Sequence, residues 1–200
     1  MGPENSVVTR IGVFCGSSVG NRPAFRQAAV ELAGALARRG FGLVYGGARV
    51  GLMGVLADAM RQHGGEVIGV IPQALVDREI ADASLADLRV VGSMHERKAL
   101  MVELADGFIA MPGGYGTLEE FCEVLTWAQL GLHRKPCGLL DVDSYFDPLL
   151  AQFDGAVSAG FLRPENRALL LTANDPDALL DLFASYKPIS VPKWITPAQT

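Results

Sequence analysis

Short apolar runs, each followed by a stretch whose apolar residues recur at helical spacing, repeat along most of this chain and leave few folds open to it. Residues 10–15 (RIGVFC) read as a buried strand, and residues 22–39 follow with Phe25, Ala29, Leu32 and Leu36 on one helical face. Strand 42–46, helix 51–63 and strand 66–71 continue the alternation. A polar, Ala- and Asp-rich connection at 73–87 leads to strand 88–92 with helix 94–106, strand 107–111 with helix 117–130, and strand 136–140 with helix 145–158. Residues 167–172 and 175–186 close the series as a last strand and helix. Strands apolar almost throughout, each followed by a helix, predict one parallel sheet covered on both faces, a doubly wound, Rossmann-like α/β fold. Residues 1–186 form that single domain, and 187–200 form a proline-rich arm with Pro188, Pro192 and Pro197 around Trp194.

Half of the 200 residues are apolar, enough for one core without disulfides. The formal net charge is −5 and no Lys/Arg run exceeds a pair, so there is no electrostatic footprint for nucleic acid or an anionic membrane. No apolar stretch has membrane-spanning length. Cys15, Cys122 and Cys137 are odd in number and lack metal-ligand spacing, as expected of buried thiols in a reducing cytoplasm. His63, His95 and His133 form no helix-spaced pair for zinc. The expected partner is therefore a small molecule.

Ligands of such sheets bind beyond the carboxyl ends of the strands. Three of those ends carry small-residue loops feeding a helix: Cys15-Gly16-Ser17-Ser18, Tyr45-Gly46-Gly47-Ala48-Arg49-Val50-Gly51, and Pro112-Gly113-Gly114-Tyr115-Gly116-Thr117. Glycine lets backbone N–H groups approach a ligand, and a helix start adds free donors and partial positive charge, which suits phosphate. Gly16, Ser17, Gly46, Gly47, Gly113 and Gly114 are thus candidate ligand contacts. The familiar nucleotide fingerprints fail, however. No loop contains G-x-G-x-x-G, and Gly46 to Gly51 has Walker spacing but continues Leu52-Met53 where Lys and Ser/Thr are required.

Thr117-Leu118-Glu119-Glu120 is spaced as a capping box, a structural reading that explains Thr117 and Glu120 but leaves the glycine density before them unexplained. Ser93 to Glu96 is a second capping box and sets the start of helix 94–106. Arg97 and Lys98 then fall in its first turns, where cations oppose the helix dipole. Either they are a solvated basic pair near Glu103 or Asp106, or they offer charge to a bound anion, with Arg97 able to grip a carboxylate in a two-pronged bond. Both readings stay open on spacing alone.

Residues 112–120 carry the signature P-G-G-x-G-T-x-x-E. With C-G-S-S at 15–18, Y-G-G at 45–47, G-L-M-G at 51–54, M-H-E-R-K at 94–98 and T-W-A-Q-L-G at 126–131, the chain resembles the LONELY GUY family of cytokinin-activating phosphoribohydrolases over nearly its whole length. The resemblance implies a homodimer that hydrolyses the N-glycosidic bond of nucleoside 5′-monophosphates, cytokinin riboside monophosphates and AMP, to free base and ribose 5-phosphate, without metal or organic cofactor. It makes Arg97 and Glu120 the catalytic pair. Substrate-binding positions are Glu79, Lys98, Gly114, Tyr115, Gly116, Thr117, Leu118, Glu119 and Thr126, and Met94 or the 73–87 segment is a candidate lining of the base pocket. Helix 118–130 carries Phe121, Val124, Leu125, Trp127, Ala128 and Leu130, an apolar surface wider than one core stripe, so it and the Met94 helix are the expected dimer interface. The alternative from another class is a nucleotide-binding sensor or carrier without hydrolysis. Sequences with this glycine signature have also been labelled lysine decarboxylases, a chemistry that needs pyridoxal phosphate on a lysine, for which Lys98 is the one nearby residue.

Overall fold

The computed structural model describes residues 9–78 and 80–188. In chain order the elements are β1 (Arg10–Phe14), α1 (Pro23–Arg38), β2 (Gly42–Tyr45), α2 (Gly51–Gln62), β3 (Val67–Pro72) and the single turn α3 (Gln73–Val76). They continue with β4 (Asp87–Val91), α4 (Met94–Leu104), β5 (Gly107–Ala110), α5 (Tyr115–Gln129) and β6 (Cys137–Leu140). The last are α6 (Asp147–Ser158), the single turn α7 (Pro164–Arg167), β7 (Leu170–Ala173) and α8 (Pro176–Ala184).

The strands form one seven-stranded sheet in the order β4-β3-β2-β1-β5-β6-β7, with every pairing parallel. The chain winds outward from β1 through β2 and β3 to β4, and α4 then carries it back to the far side of β1, where β5 pairs from Ile11↔Gly107 to Phe14↔Ala110. Winding reverses between β1 and β5, so their carboxyl ends open a crevice that no connection crosses.

Period-two alternation divides the core. Ile11, Val13, Leu43, Tyr45 and Ile109 pack under α1, α2 and α8, while Phe14, Val44, Ile68, Phe108 and Ala110 pack under α4, α5 and α6. Phe14 and Phe108 stack with centroids 6.1 Å apart. Gly12, paired directly with Phe108 across the strands, leaves room for its ring, which a Cβ there would meet at 2.9 Å.

Three expectations need correction. The helix placed at 117–130 starts at Tyr115. Residue 167 ends a one-turn helix, and the last strand begins only at Leu170. The 73–87 connection contains α3 and an isolated antiparallel bridge from Ala81 to Ala48. Trp194 and most of the arm lie outside the described residues.

Candidate active site

Strands β2, β1 and β5 are neighbours, so the three glycine loops gather at one edge of the sheet, on the crevice. Their backbones are tied together: the Gly16 N–H donates to the Pro112 carbonyl at 3.0 Å, and the Leu52 N–H donates to the Gly16 carbonyl at 3.0 Å. Gly51, at φ +62, lies against the Ser17 backbone so closely that a Cβ would overlap it. Gly16, Gly46 and Gly47 likewise meet other parts of the chain wherever a Cβ is built. Gly114 and Gly116 do not. A Cβ at either meets nothing within 4 Å, so the protein's own packing gives no reason for glycine there.

Arg97 comes to this edge on α4. Ser93 caps that helix by accepting from the Glu96 N–H at 3.1 Å, and the Glu96 carboxylate accepts from the Gly92 N–H at 2.8 Å. This reciprocal pair fixes the helix start and with it the place of Arg97. The guanidinium passes over Gly46, where a Cβ would collide with Nη2, and Nη2 reaches Glu120 Oε1 at 3.1 Å. Nη1 points to the Met94 sulfur at 3.8 Å. Nε is buried and has no acceptor among the described residues.

Glu120 is not part of a capping box. The N-cap of α5 is Gly114, without a side-chain cap, and Thr117 is a buried residue inside the first turn. With the helix started two residues early, Glu120 faces the sheet edge and its carboxylate meets Arg97. The ion pair overrides the local motif that T-x-x-E spacing suggests. Arg97 and Glu120 are 8% and 7% exposed, and Lys98 is buried too, so Arg97 and Lys98 are not the solvated basic pair of the alternative reading. Burial pushes the Glu120 carboxyl above its ordinary value of 4.5, and the Arg97 charge opposes that rise. Cys15 lies close enough to feel both charges. Burial first, then the Glu120 charge, pushes its thiol up to about 12, so it is a neutral wall and no nucleophile.

The remaining positions divide. Lys98 is buried, and its ammonium is held by Glu119 at 2.6 Å and Glu123 at 3.1 Å, a second rung between α4 and α5 beside the Arg97–Glu120 pair. Tyr115 is almost fully exposed at the mouth of the loop, Leu118 is half-buried, and Met94 is exposed beside Arg97. Ser17 is exposed on the β1 loop. Thr126 is exposed, its hydroxyl donating to the Cys122 carbonyl at 2.7 Å, and it sits about 9 Å along the α5 axis from Glu120. Within one protomer it belongs to a different surface. Glu79 lies outside the described residues. Sequence reasoning passed over Glu123, although Glu119 and Glu123 are spaced i,i+4 and so share a helix face, and over Tyr145, whose hydroxyl donates to the Gly113 carbonyl at 2.5 Å. No cluster of metal-binding side chains occurs among the described residues, and none of their helices is long and apolar enough to cross a membrane. Cys15, Cys122 and Cys137 are free thiols, Cys122 only half-buried against the expectation.

A doubly wound parallel sheet with glycine loops and a buried guanidinium–carboxylate pair at its switch point defines an α/β protein of Rossmann type. A family model described as "Possible lysine decarboxylase" matches residues 53–183. The cytokinin riboside 5′-monophosphate phosphoribohydrolase LOG7 of Arabidopsis thaliana is 49% identical over 179 residues, covering 90% of this chain and 82% of its own length. The enzyme of the same name, LOG, from Oryza sativa subsp. japonica is 48% identical over 187 residues, covering 94% and 77%. The chain belongs to the LONELY GUY family of cytokinin riboside 5′-monophosphate phosphoribohydrolases. Among solved structures, the molybdenum cofactor binding protein from the phototrophic bacterium Rippkaea orientalis superposes with a TM-score of 0.67 at 24% identity, covering 90% of this chain and 98% of that chain. That likeness is one of fold.

Proposed function

We propose that this protein hydrolyses the N-glycosidic bond of nucleoside 5′-monophosphates, cytokinin riboside 5′-monophosphate and AMP among them, to free base and ribose 5-phosphate. The observation that carries it is the buried Arg97–Glu120 pair, 3.1 Å apart, beside a loop whose glycines leave open space. Relatives about half identical carry this activity in their names.

Breaking a ribosyl C–N bond builds positive charge on the sugar, and a fixed carboxylate beside it stabilises that state and can activate water. Glu120 fills this role, and Arg97 keeps its carboxylate ionised and aimed. The bond electrons leave with the base, water adds its oxygen to C1′, and the protons balance between water and leaving base. The free backbone donors at 114–117 bind the 5′-phosphate, and the unpaired Arg97 Nε is a donor left for a substrate oxygen. Lys98, Glu119 and Thr117 support this arrangement from α4 and α5, and Met94 and Tyr115 border the base.

The chemistry of Lys98 speaks against the decarboxylase label. Burial alone would lower its pKa, but Glu119 and Glu123 together raise it above 10.5, the reverse of what a Schiff-base lysine needs. We place the protein in the reducing cytoplasm, in keeping with its free thiols, and as a homodimer joined through α5. The test is chromatography of AMP and isopentenyladenosine monophosphate after incubation with the protein. Free base and ribose 5-phosphate in equal amounts are expected, and absence of base from both refutes the activity.

A further inference from the structure

Tyr145 is outside every position that the family resemblance assigns, yet it touches the phosphate loop. Its ring stands edge-on to Phe25, with centroids 5.6 Å apart, and to Phe146 at 5.1 Å. The two residues before it, Asp143 and Ser144, have φ of 53° and 58° and are the only non-glycine residues at positive φ among the described residues. Arg22, at the start of α1, donates to the Asp143 carbonyl at 3.1 Å. Left-handed backbone is unfavourable for such side chains and persists where the surroundings impose it. Here it turns the chain after β6 so that Tyr145 reaches back across the sheet edge to the loop after β5.

The bond falls on a telling atom. A trans peptide directs its C=O and N–H in opposite senses. The Gly113 carbonyl and the Gly114 N–H form one such unit, so a hydroxyl that pins the carbonyl also aims the N–H away from Tyr145. Between two glycines this unit has no side chain to resist a flip. The Gly114 N–H has no acceptor among the described residues.

We propose that Tyr145 is a positioning residue: its hydroxyl locks the 113–114 peptide so that the Gly114 N–H faces the 5′-phosphate of the nucleotide. This rests on the phosphate site assigned above and adds to it the element that holds the loop in its binding form. Phosphate stays bound through the reaction, so the bond strengthens ground state and transition state alike, and its loss falls on KM.

Tyr145→Phe tests this, because it removes the hydroxyl and keeps the ring against Phe25 and Phe146. Calorimetry should show ribose 5-phosphate binding about tenfold more weakly, with KM for the nucleotide raised by a similar factor and kcat within about twofold, as for loss of uniform binding. The melting temperature should fall by no more than about 4 °C, the loss of one hydrogen bond in a chain of this size, which separates positioning from a general loss of structure. A variant that binds ribose 5-phosphate as well as the wild type does, or one that loses kcat at unchanged KM, overturns the proposal. Failure of the wild-type protein itself to bind ribose 5-phosphate is a separate result, and it removes the phosphate site together with the role of Tyr145.

Discussion

Enclosure of the Glu120 carboxylate sets two effects in opposition: burial favours the neutral acid, and the guanidinium 3.1 Å away favours the anion. Burial is the larger, so the carboxyl titrates above 4.5. The proposed reaction uses the anion, which is present above the raised pKa and lost as pH falls through it. The acid limb of a kcat/KM profile is therefore expected above 4.5, and a limb at or below that value contradicts the environment described for Glu120. Glycines give a second residue-scale test. Gly114→Ala meets no neighbour and should leave the melting temperature unchanged while raising KM, whereas Gly46→Ala collides with Arg97 and should lower kcat. Equal effects of the two on stability and kinetics would show that the open loop holds no ligand. Arg97 and Glu120 were legible through their motifs, but their contact joins two helices and no local spacing reveals it. T-x-x-E fits a cap and a buried pair equally well, and only tertiary structure chose. Tyr145 was illegible because its bond to Gly113 spans 32 residues and depends on β6 lying beside β5.

At the scale of elements, α4 is anchored at both ends. Ser93 and Glu96 close its start, and the Lys135 ammonium donates to the Val102 and Ala105 carbonyls at 2.6 Å each near its finish. Cations belong at a helix C-terminus and caps at its N-terminus, so the two ends work together to hold Arg97 and Lys98 against the unfavourable dipole at theirs. Ser93→Ala is expected to cost about 1 kcal/mol in urea unfolding, since it frees one N–H without disturbing the core. An unchanged midpoint would mean that packing alone sets the helix. Buried strands and long helices were readable from apolar periodicity. The single turns α3 and α7 were not, being shorter than one helical repeat of pattern. The early start of α5 was hidden because Gly116, a poor helix former, sits inside its first turn.

The order of strands is a property of the whole chain. Alternation of strands and helices predicts a parallel sheet, but only packing shows the reversal between β1 and β5 that brings three loops from distant parts of the sequence to one crevice. Part of the outer surface is apolar. Phe121, Val124 and Ala128 of α5 are buried, while Leu125, Trp127 and Leu130 stay partly exposed, α6 has no fully buried residue, and Phe161 is 90% exposed. Leu125, Phe153 and Phe161 also line a cavity of about 260 Å³. The homodimer proposed above would cover this face with a second copy. Sedimentation should give a dimer mass for the wild type and a shift toward monomer for Leu125→Asp. A monomer at every concentration contradicts this assembly.

In the hydrolysis proposed above, Glu120, held by Arg97, drives cleavage. Single-turnover measurement on Glu120→Gln, with the nucleotide dissociation constant determined on the same sample, decides whether it does. Affinity within a few-fold of wild type and cleavage slower by about three orders of magnitude are expected for loss of a charge needed in the transition state. Near-normal release of base from that variant would show that the hydrolytic centre lies elsewhere.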